Sequence, residues 1–319
     1  MRVLVTGSEG CIGAWVVKAL LDRGLPVVSY DLEAAHRRLA LIASPEAMAR
    51  LHAETGGIED TGRVKALVRE AGITHIVHLA AVLMPFCQTQ PVEGALVNVI
   101  GTLNVFEAAC TAGRPVRIVY ASSSAVWGPA EDYGAGPLDE SATPRPATHY
   151  GVYKHANEGN ARVYYATEGI SSIGLRPWTV YGVGREAGLT ADPTLAMRAA
   201  ALDRPFQMRL SGYMDLQYVE DVAETFVRCL LAPIEGAHVF NLQGAVVRME
   251  EIIASIERVQ PRARGLITAA GPQVPVAYRM DDTQLRRLIP DIPKTPLEEG
   301  VRRTVERFEH LHRRGLIEL

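Results

Sequence analysis

The stretch "VLVTGSEGCIGAWVV" (3–17) decides how the rest of the chain is read. A branched apolar run breaks into three glycines, and an apolar pattern of helical character then resumes. A strand that stops before such a run, with a helix starting inside it, aims unpaired N–H groups and the positive end of the helix dipole at one place. An anion, above all a phosphate, is attracted there. Gly7, Gly10 and Gly13 remove the Cβ atoms that would obstruct the turn, an approaching pyrophosphate or the packing of helix on strand.

Outward from this turn, short β-branched runs recur: "RVLVT" (2–6), "PVVSY" (26–30), "THIVHLA" (74–80), "VRIVYAS" (116–122) and "ISSIGLRP" (170–177). Most are continuously apolar rather than alternating, which suits parallel strands covered on both faces. Helical patterns separate them at 14–23, 62–71, 92–112 and 150–168. This alternation predicts an α/β fold, a Rossmann-type doubly wound parallel sheet. After Pro177 come a glycine-rich loop at 181–193, a helix near 193–201, a strand and helix within 215–233, a strand at 238–242 and amphipathic helices near 249–259, 281–288 and 296–314. We read residues 1–177 as a dinucleotide-binding domain and 178–319 as a smaller, mixed α/β substrate lobe, with about 215–243 packing back on the first domain.

Composition narrows the partners. The 319 residues are 48% hydrophobic and 22% charged, with a formal net charge of −3, so no nucleic acid or anionic membrane surface is expected as partner. Cys11, Cys87, Cys110 and Cys229 are scattered, with no pair at metal or redox spacing, so neither a disulfide framework nor a metal site is expected. No signal peptide and no apolar stretch approaching the ~20 residues of a membrane span is recognised, which makes the cytoplasm the expected location.

Two further patterns carry chemistry. Asp31 ends the second strand within the range where an acid accepts hydrogen bonds from an adenine ribose and repels a 2′-phosphate. No arginine adjoins it, and Arg37 and Arg38 read as a solvated helix face, so NAD is expected rather than NADP. In "HYGVYKHANE", Tyr150 and Lys154 stand at i and i+4, hence on one face of a helix. A phenol with a pKa near ~10 becomes a usable base only when its anion is stabilised, which a neighbouring ammonium would do. Upstream, "YASSSAVWG" ends a strand in three serines, at the carboxyl edge where α/β sheets hold ligands.

Taken together, TGxxGxxG, Asp31, "HLAA" (78–81), "NVIGTLNVFEAA" (98–109), "SSSAVWG" (122–128), Tyr150-x-x-x-Lys154, "LRPWTVYG" (175–182), "YVEDVA" (218–223) and "PLEEGVRRTV" (296–305) resemble the extended short-chain dehydrogenase/reductases, the NAD-dependent epimerase/dehydratase family. The resemblance covers nearly the whole chain. It implies a catalytic group of Ser123, Tyr150 and Lys154 with Asn98 in support, Ser122 and Ser124 flanking. It also implies cofactor contacts from Gly7, Gly10, Cys11, Ile12, Gly13, Asp31, Ile58, Leu79, Ala80, Ala81, Asn98, Tyr150, Lys154 and Pro177. The resemblance implies a homodimer through the helices around 92–112 and 150–168. Asn98 also suits a helix N-terminal cap.

The chain departs from nucleotide-sugar members where substrate is read. Thr179 replaces the usual Asn of the "VYG" motif, and Met214 replaces an Arg that meets a phosphate. Arg185 and Arg209 are the arginines that would compensate. Where an acid commonly faces the adenine, Gly57 stands before Ile58. Ser124, Trp127, Thr179, Arg185 and Met84 are the expected substrate contacts. The reading that follows is an NAD-dependent oxidoreductase acting on a secondary alcohol or ketone of a sugar, sugar acid or small polyol. The alternatives are a UDP-sugar 4-epimerase with tightly held NAD, and a non-catalytic NAD-binding sensor.

Overall fold

In the computed structural model, which describes residues 1–317, seven parallel strands form one sheet. Their order is Ala237–Asn241, Ser172–Arg176, Arg117–Ala121, His75–His78, Val3–Thr6, Val27–Asp31 and His52–Thr55. Leu4 lies level with Val28 on one side and Ile76 on the other, so the first strand sits mid-sheet. Successive side chains point to opposite faces. Val3, Val5, Val77 and Val119 join a core with the helices Cys11–Asp22 and Val219–Leu231. Leu4, Val28, Ile76 and Ile118 join a second core, with the helices Thr61–Glu70 and Gly101–Cys110. Burial on both faces is why these strands lack a polar alternation.

From Val3–Thr6 the chain builds outward through Val27–Asp31 to His52–Thr55, then returns to the other side at His75–His78. The strand order therefore reverses between Val3–Thr6 and His75–His78, and the connections part there at the carboxyl ends, opening the crevice characteristic of doubly wound sheets. His52–Thr55, spelled "HAET", escapes sequence reading because it is a mostly exposed edge strand with no apolar run.

The expected helix at 92–112 runs from Pro91 to Cys110 and contains a π-turn at Leu96–Ile100. At 20 residues it is long and apolar enough, by length and composition, to cross a membrane, which corrects the sequence expectation. Half of its most apolar window is buried in the fold, with Asn98, Thr102 and Asn104 among the buried side chains. Asn98 lies inside the π-turn, so it caps no helix.

Two smaller sheets stand beside the large one. Ala245–Arg248, Tyr213–Tyr218 and Thr179–Tyr181 form one, and Ile267–Ala269 with Phe206–Met208 the other. The last helix, Leu297–Arg313, buries Val301, Val305, Phe308 and Leu311 along one stripe.

Candidate active site

At the sheet crevice the helix Cys11–Asp22 starts with no side-chain cap. The three glycines do different work. A Cβ on Gly7 (φ +70°) would stand 2.5 Å from the Ala80 nitrogen, and one on Gly13 would stand 2.1 Å from the Gly7 carbonyl. Gly10 instead faces open space beyond the Gly7 carbonyl. The groove above it encloses about 360 Å³, bordered by Gly7, Gly10, Asp31, Ile58 and Leu79–Ala81. Asp31 is aimed by the Glu9 and Leu32 N–H groups, which donate to its carboxylate at 2.9 and 2.8 Å. Cys11, at the first helical turn, packs against the core, and burial pushes its thiol up to about 12, so it stays neutral. Ile12 packs into the core, and the Ile58 carbonyl is held by Asn104 Nδ2 at 3.0 Å.

Glu59 and Arg38 also border this groove, and neither was expected there. The Glu59 carboxylate folds back over Gly57, so an acid borders the groove from one residue beyond Ile58. Only the absent side chain at Gly57 permits this, a signal that the sequence carried.

The helix His149–Glu168 carries the phenol and ammonium. Thr148 Oγ1 caps it by accepting from the Gly151 N–H at 3.1 Å. A Cβ on Gly151 would lie 2.1 Å from the Ala125 carbonyl, so the first turn sits directly on the loop that follows Ser123. The Ser123 hydroxyl stands close enough to Tyr150 there to favour its phenolate. Lys154 Nζ donates to the Ala121 carbonyl at 2.8 Å and lies 5.5 Å from the Tyr150 ring centre. Burial brings Lys154 down to about 8. Burial raises Tyr150 above its ordinary value, opposed by the Ser123 hydroxyl and by the Arg185 charge. In the protein alone burial thus works against the Tyr150 phenolate, and a further positive charge beside it would favour that form.

Asn98 ties three segments together. Its Nδ2 donates to the Val82 and Gly94 carbonyls at 3.1 and 3.0 Å, and toward Cys87 Sγ at 3.3 Å. Its backbone carbonyl accepts from Asn157 Nδ2 at 2.8 Å. Beneath the site lies an ion pair missed in the sequence. Glu158 accepts from Arg176 Nε and Nη2, both at 2.7 Å, and from Ser122 Oγ at 2.5 Å. Glu158 is four residues beyond Lys154, so the spacing that paired Tyr150 with Lys154 could have found it.

The expected substrate contacts divide. Trp127 is completely buried with the Arg176 guanidinium 4.6 Å from its ring, so it offers no surface to a ligand, which corrects that expectation. Thr179 and Ser124 are buried as well. Met84 is exposed at the start of the helix Met84–Thr89. Arg185 Nη2 donates to Thr190 at 2.9 Å, while its buried Nε has no partner. Met214 is buried in the core, and Arg209 is committed to Asp192 through Nε and Nη2 at 3.1 and 2.6 Å. The Pro177 carbonyl accepts from the Ser124 N–H at 3.0 Å.

A crevice at a strand-order reversal, a glycine cradle with an acid beside it, and Ser123, Tyr150 and Lys154 gathered at one edge of the sheet are the arrangement of a nucleotide-dependent enzyme of the Rossmann class. The model of the NAD dependent epimerase/dehydratase family matches residues 3–242, and the chain belongs to that family of enzymes. It is 29% identical over 325 residues to a UDP-glucose 4-epimerase of Mycolicibacterium smegmatis, covering 97% of this chain and 99% of the relative. It is 26% identical over 351 residues to a probable UDP-glucuronate 4-epimerase of Rhizobium meliloti, covering 99% of each. The solved Thermus thermophilus UDP-glucose 4-epimerase in complex with NAD superposes with a TM-score of 0.80 at 26% identity, over 97% of this chain and 99% of that one. The cofactor is NAD, and the cradle fits it: Gly10 leaves the pyrophosphate position open, and the Asp31 carboxylate faces the same groove.

Proposed function

We propose that this enzyme transfers hydride between NAD and a secondary alcohol or ketone carbon of a small sugar acid. The observation that carries the reading is Arg185. Its Nε is buried without a partner, and its charge reaches Tyr150. A buried, unpaired guanidinium N–H whose charge acts on the acid/base residue is suited to an anionic substrate group, since leaving it unpaired costs free energy. Met214 and Arg209 supply no free cation for a diphosphate, which favours a free acid over a nucleotide sugar.

When bound, NAD supplies the hydride acceptor or donor at its nicotinamide ring. Ser123 holds the substrate hydroxyl by a hydrogen bond, and Tyr150 takes its proton as the carbon becomes a carbonyl. Lys154 places an ammonium beside the phenolate and reaches toward the nicotinamide ribose, and Asn98 keeps the 82–98 segment in place around them. Asp31 takes the adenine ribose. The division into a cofactor domain (1–177) and substrate lobe (178–319) and the homodimer through 92–112 and 150–168 belong to the same proposal.

The test is a screen of aldonates, uronates, neutral aldoses and UDP-sugars, read as NADH absorbance. Turnover of a free acid is expected, and Arg185→Met should raise its KM roughly 10- to 100-fold, the loss of one charge-assisted hydrogen bond. The second reading, a UDP-sugar 4-epimerase, is favoured by the likeness to UDP-glucose and UDP-glucuronate 4-epimerases. Interconversion of UDP-sugars without net NADH, and silence toward free acids, would establish it instead.

A further inference from the structure

The spacing put Arg38 on a solvated helix face, yet its side chain reaches back over the glycine turn. Nη1 donates to the Glu9 carbonyl at 2.7 Å and Nε to the Gly184 carbonyl at 2.9 Å, while Nη2 pairs with Glu186 at 3.1 Å. The approach to Arg38 is fixed by the same Glu9. His36, held in the left-handed region at φ +48°, directs its backbone N–H and its ring Nδ1 to Glu9 Oε1 at 2.9 and 2.7 Å. From the first helix, Trp15 Nε1 donates to the Val183 carbonyl at 2.9 Å. Two consecutive carbonyls of the 182–188 loop are thus gripped from the dinucleotide side, and the next residue is Arg185.

We propose that Arg38 is a positioning residue that fastens the 182–188 loop to the backbone of the glycine turn, so that NAD in the groove orders the loop that carries Arg185. NAD bound on the turn restrains the Glu9 carbonyl, and the guanidinium passes that restraint to Gly184. The fastening does not depend on what Arg185 binds; only its use for substrate rests on the function proposed above. Arg38 borders the groove near Asp31, so its rival role is to receive a 2′-phosphate. Its commitment to two carbonyls and the nearness of Glu186 oppose that role.

Hydrogen exchange of the 182–188 amides, measured on the full chain with and without saturating NAD, tests the proposal. Wild type should slow about 10-fold or more on adding NAD, and Arg38→Met should lose most of that slowing, as expected for a charged hydrogen-bond pair. Unchanged protection of Val3–Thr6 in the variant shows that the fold is kept. Arg38→Lys, which can reach one carbonyl but not both, should fall between the two, and it serves if Arg38→Met does not fold. Calorimetric titration of NAD and NADP supplies the second arm. NAD-dependent protection that survives in Arg38→Met overturns the proposal, as does a loss of NADP affinity alone. An Arg185→Met enzyme with unaltered substrate KM would sink the substrate reading while leaving the exchange result standing.

Discussion

Single side chains here are tuned by burial more than by partners. Tyr150 is raised and Lys154 lowered to about 8, each chiefly by desolvation. Tyr150→Phe is expected to lower hydride transfer by about 10²- to 10⁴-fold while NAD still binds, as separate kinetic and binding assays would reveal. Lys154 loses its charge as pH rises through about 8 in the cofactor-free protein, so NAD affinity should weaken above that pH. In Lys154→Met the affinity should be low and flat from pH 6 to 9; a dependence that persists would place the titration elsewhere. Asp215, buried in the strand Tyr213–Tyr218, is pushed up to about 7 by desolvation, against hydrogen bonds from Gln217 Nε2 and the Gly244 N–H. The folded carboxyl holds its proton more tightly than the unfolded one near 3.8, so its contribution is complete below about 3.8 and is lost as pH rises through about 7. Asp215→Asn should therefore raise the melting temperature above pH 7, with the gain vanishing toward pH 4. A constant difference across that range would refute the assignment.

Elements place these side chains through close backbone approaches. Gly151 allows the helix His149–Glu168 to start against the Ala125 carbonyl, which sets Tyr150 over the loop that follows Ser123. Gly151→Ala should displace that turn and cut kcat by 10-fold or more with NAD affinity little changed, since a misplacement of about 1 Å can cost about 10²-fold. Along the same helix, Glu158 joins Ser122 to Arg176, neighbours of Ser123 and Pro177 respectively. Removing one member leaves a buried charge alone, so Arg176→Met should cost about 3–5 kcal/mol of stability in denaturant unfolding. The π-turn at Leu96–Ile100 was invisible in the apolar pattern that marked its helix, because the pattern records which side chains are buried and not which carbonyl each N–H meets.

At the scale of the molecule, the exposed apolar side chains Val92, Leu96 and Ile100 of one helix, and Val152 and Val163 of the other, lie in the segments proposed for the homodimer. If that proposal holds, Leu96→Glu combined with Val152→Glu should produce a monomer in sedimentation analysis while the Arg38 and Asp31 contacts stay intact. An unaltered mass would exclude these helices as the interface.

The parallel sheet, the glycine turn, Asp31 and the Tyr150–Lys154 pair were legible in sequence because each rests on local spacing: strand period, helix period or a turn that admits no Cβ. Asp31, the glycines and the lack of an adjoining arginine pointed to NAD in the sequence, since an acid at that strand end repels a 2′-phosphate. Arg38, Glu59 and Glu158 were assigned by tertiary structure alone, whereas Arg185 was already a candidate in the sequence and the fold added only its buried, unpartnered Nε. Arg38 meets Gly184 across 146 positions of sequence, and Trp127 looked like a pocket residue until packing sealed it beneath Arg176. A charged side chain has the same local signature whether it faces water, a carbonyl or a ligand, and only the fold decides which of these surrounds it.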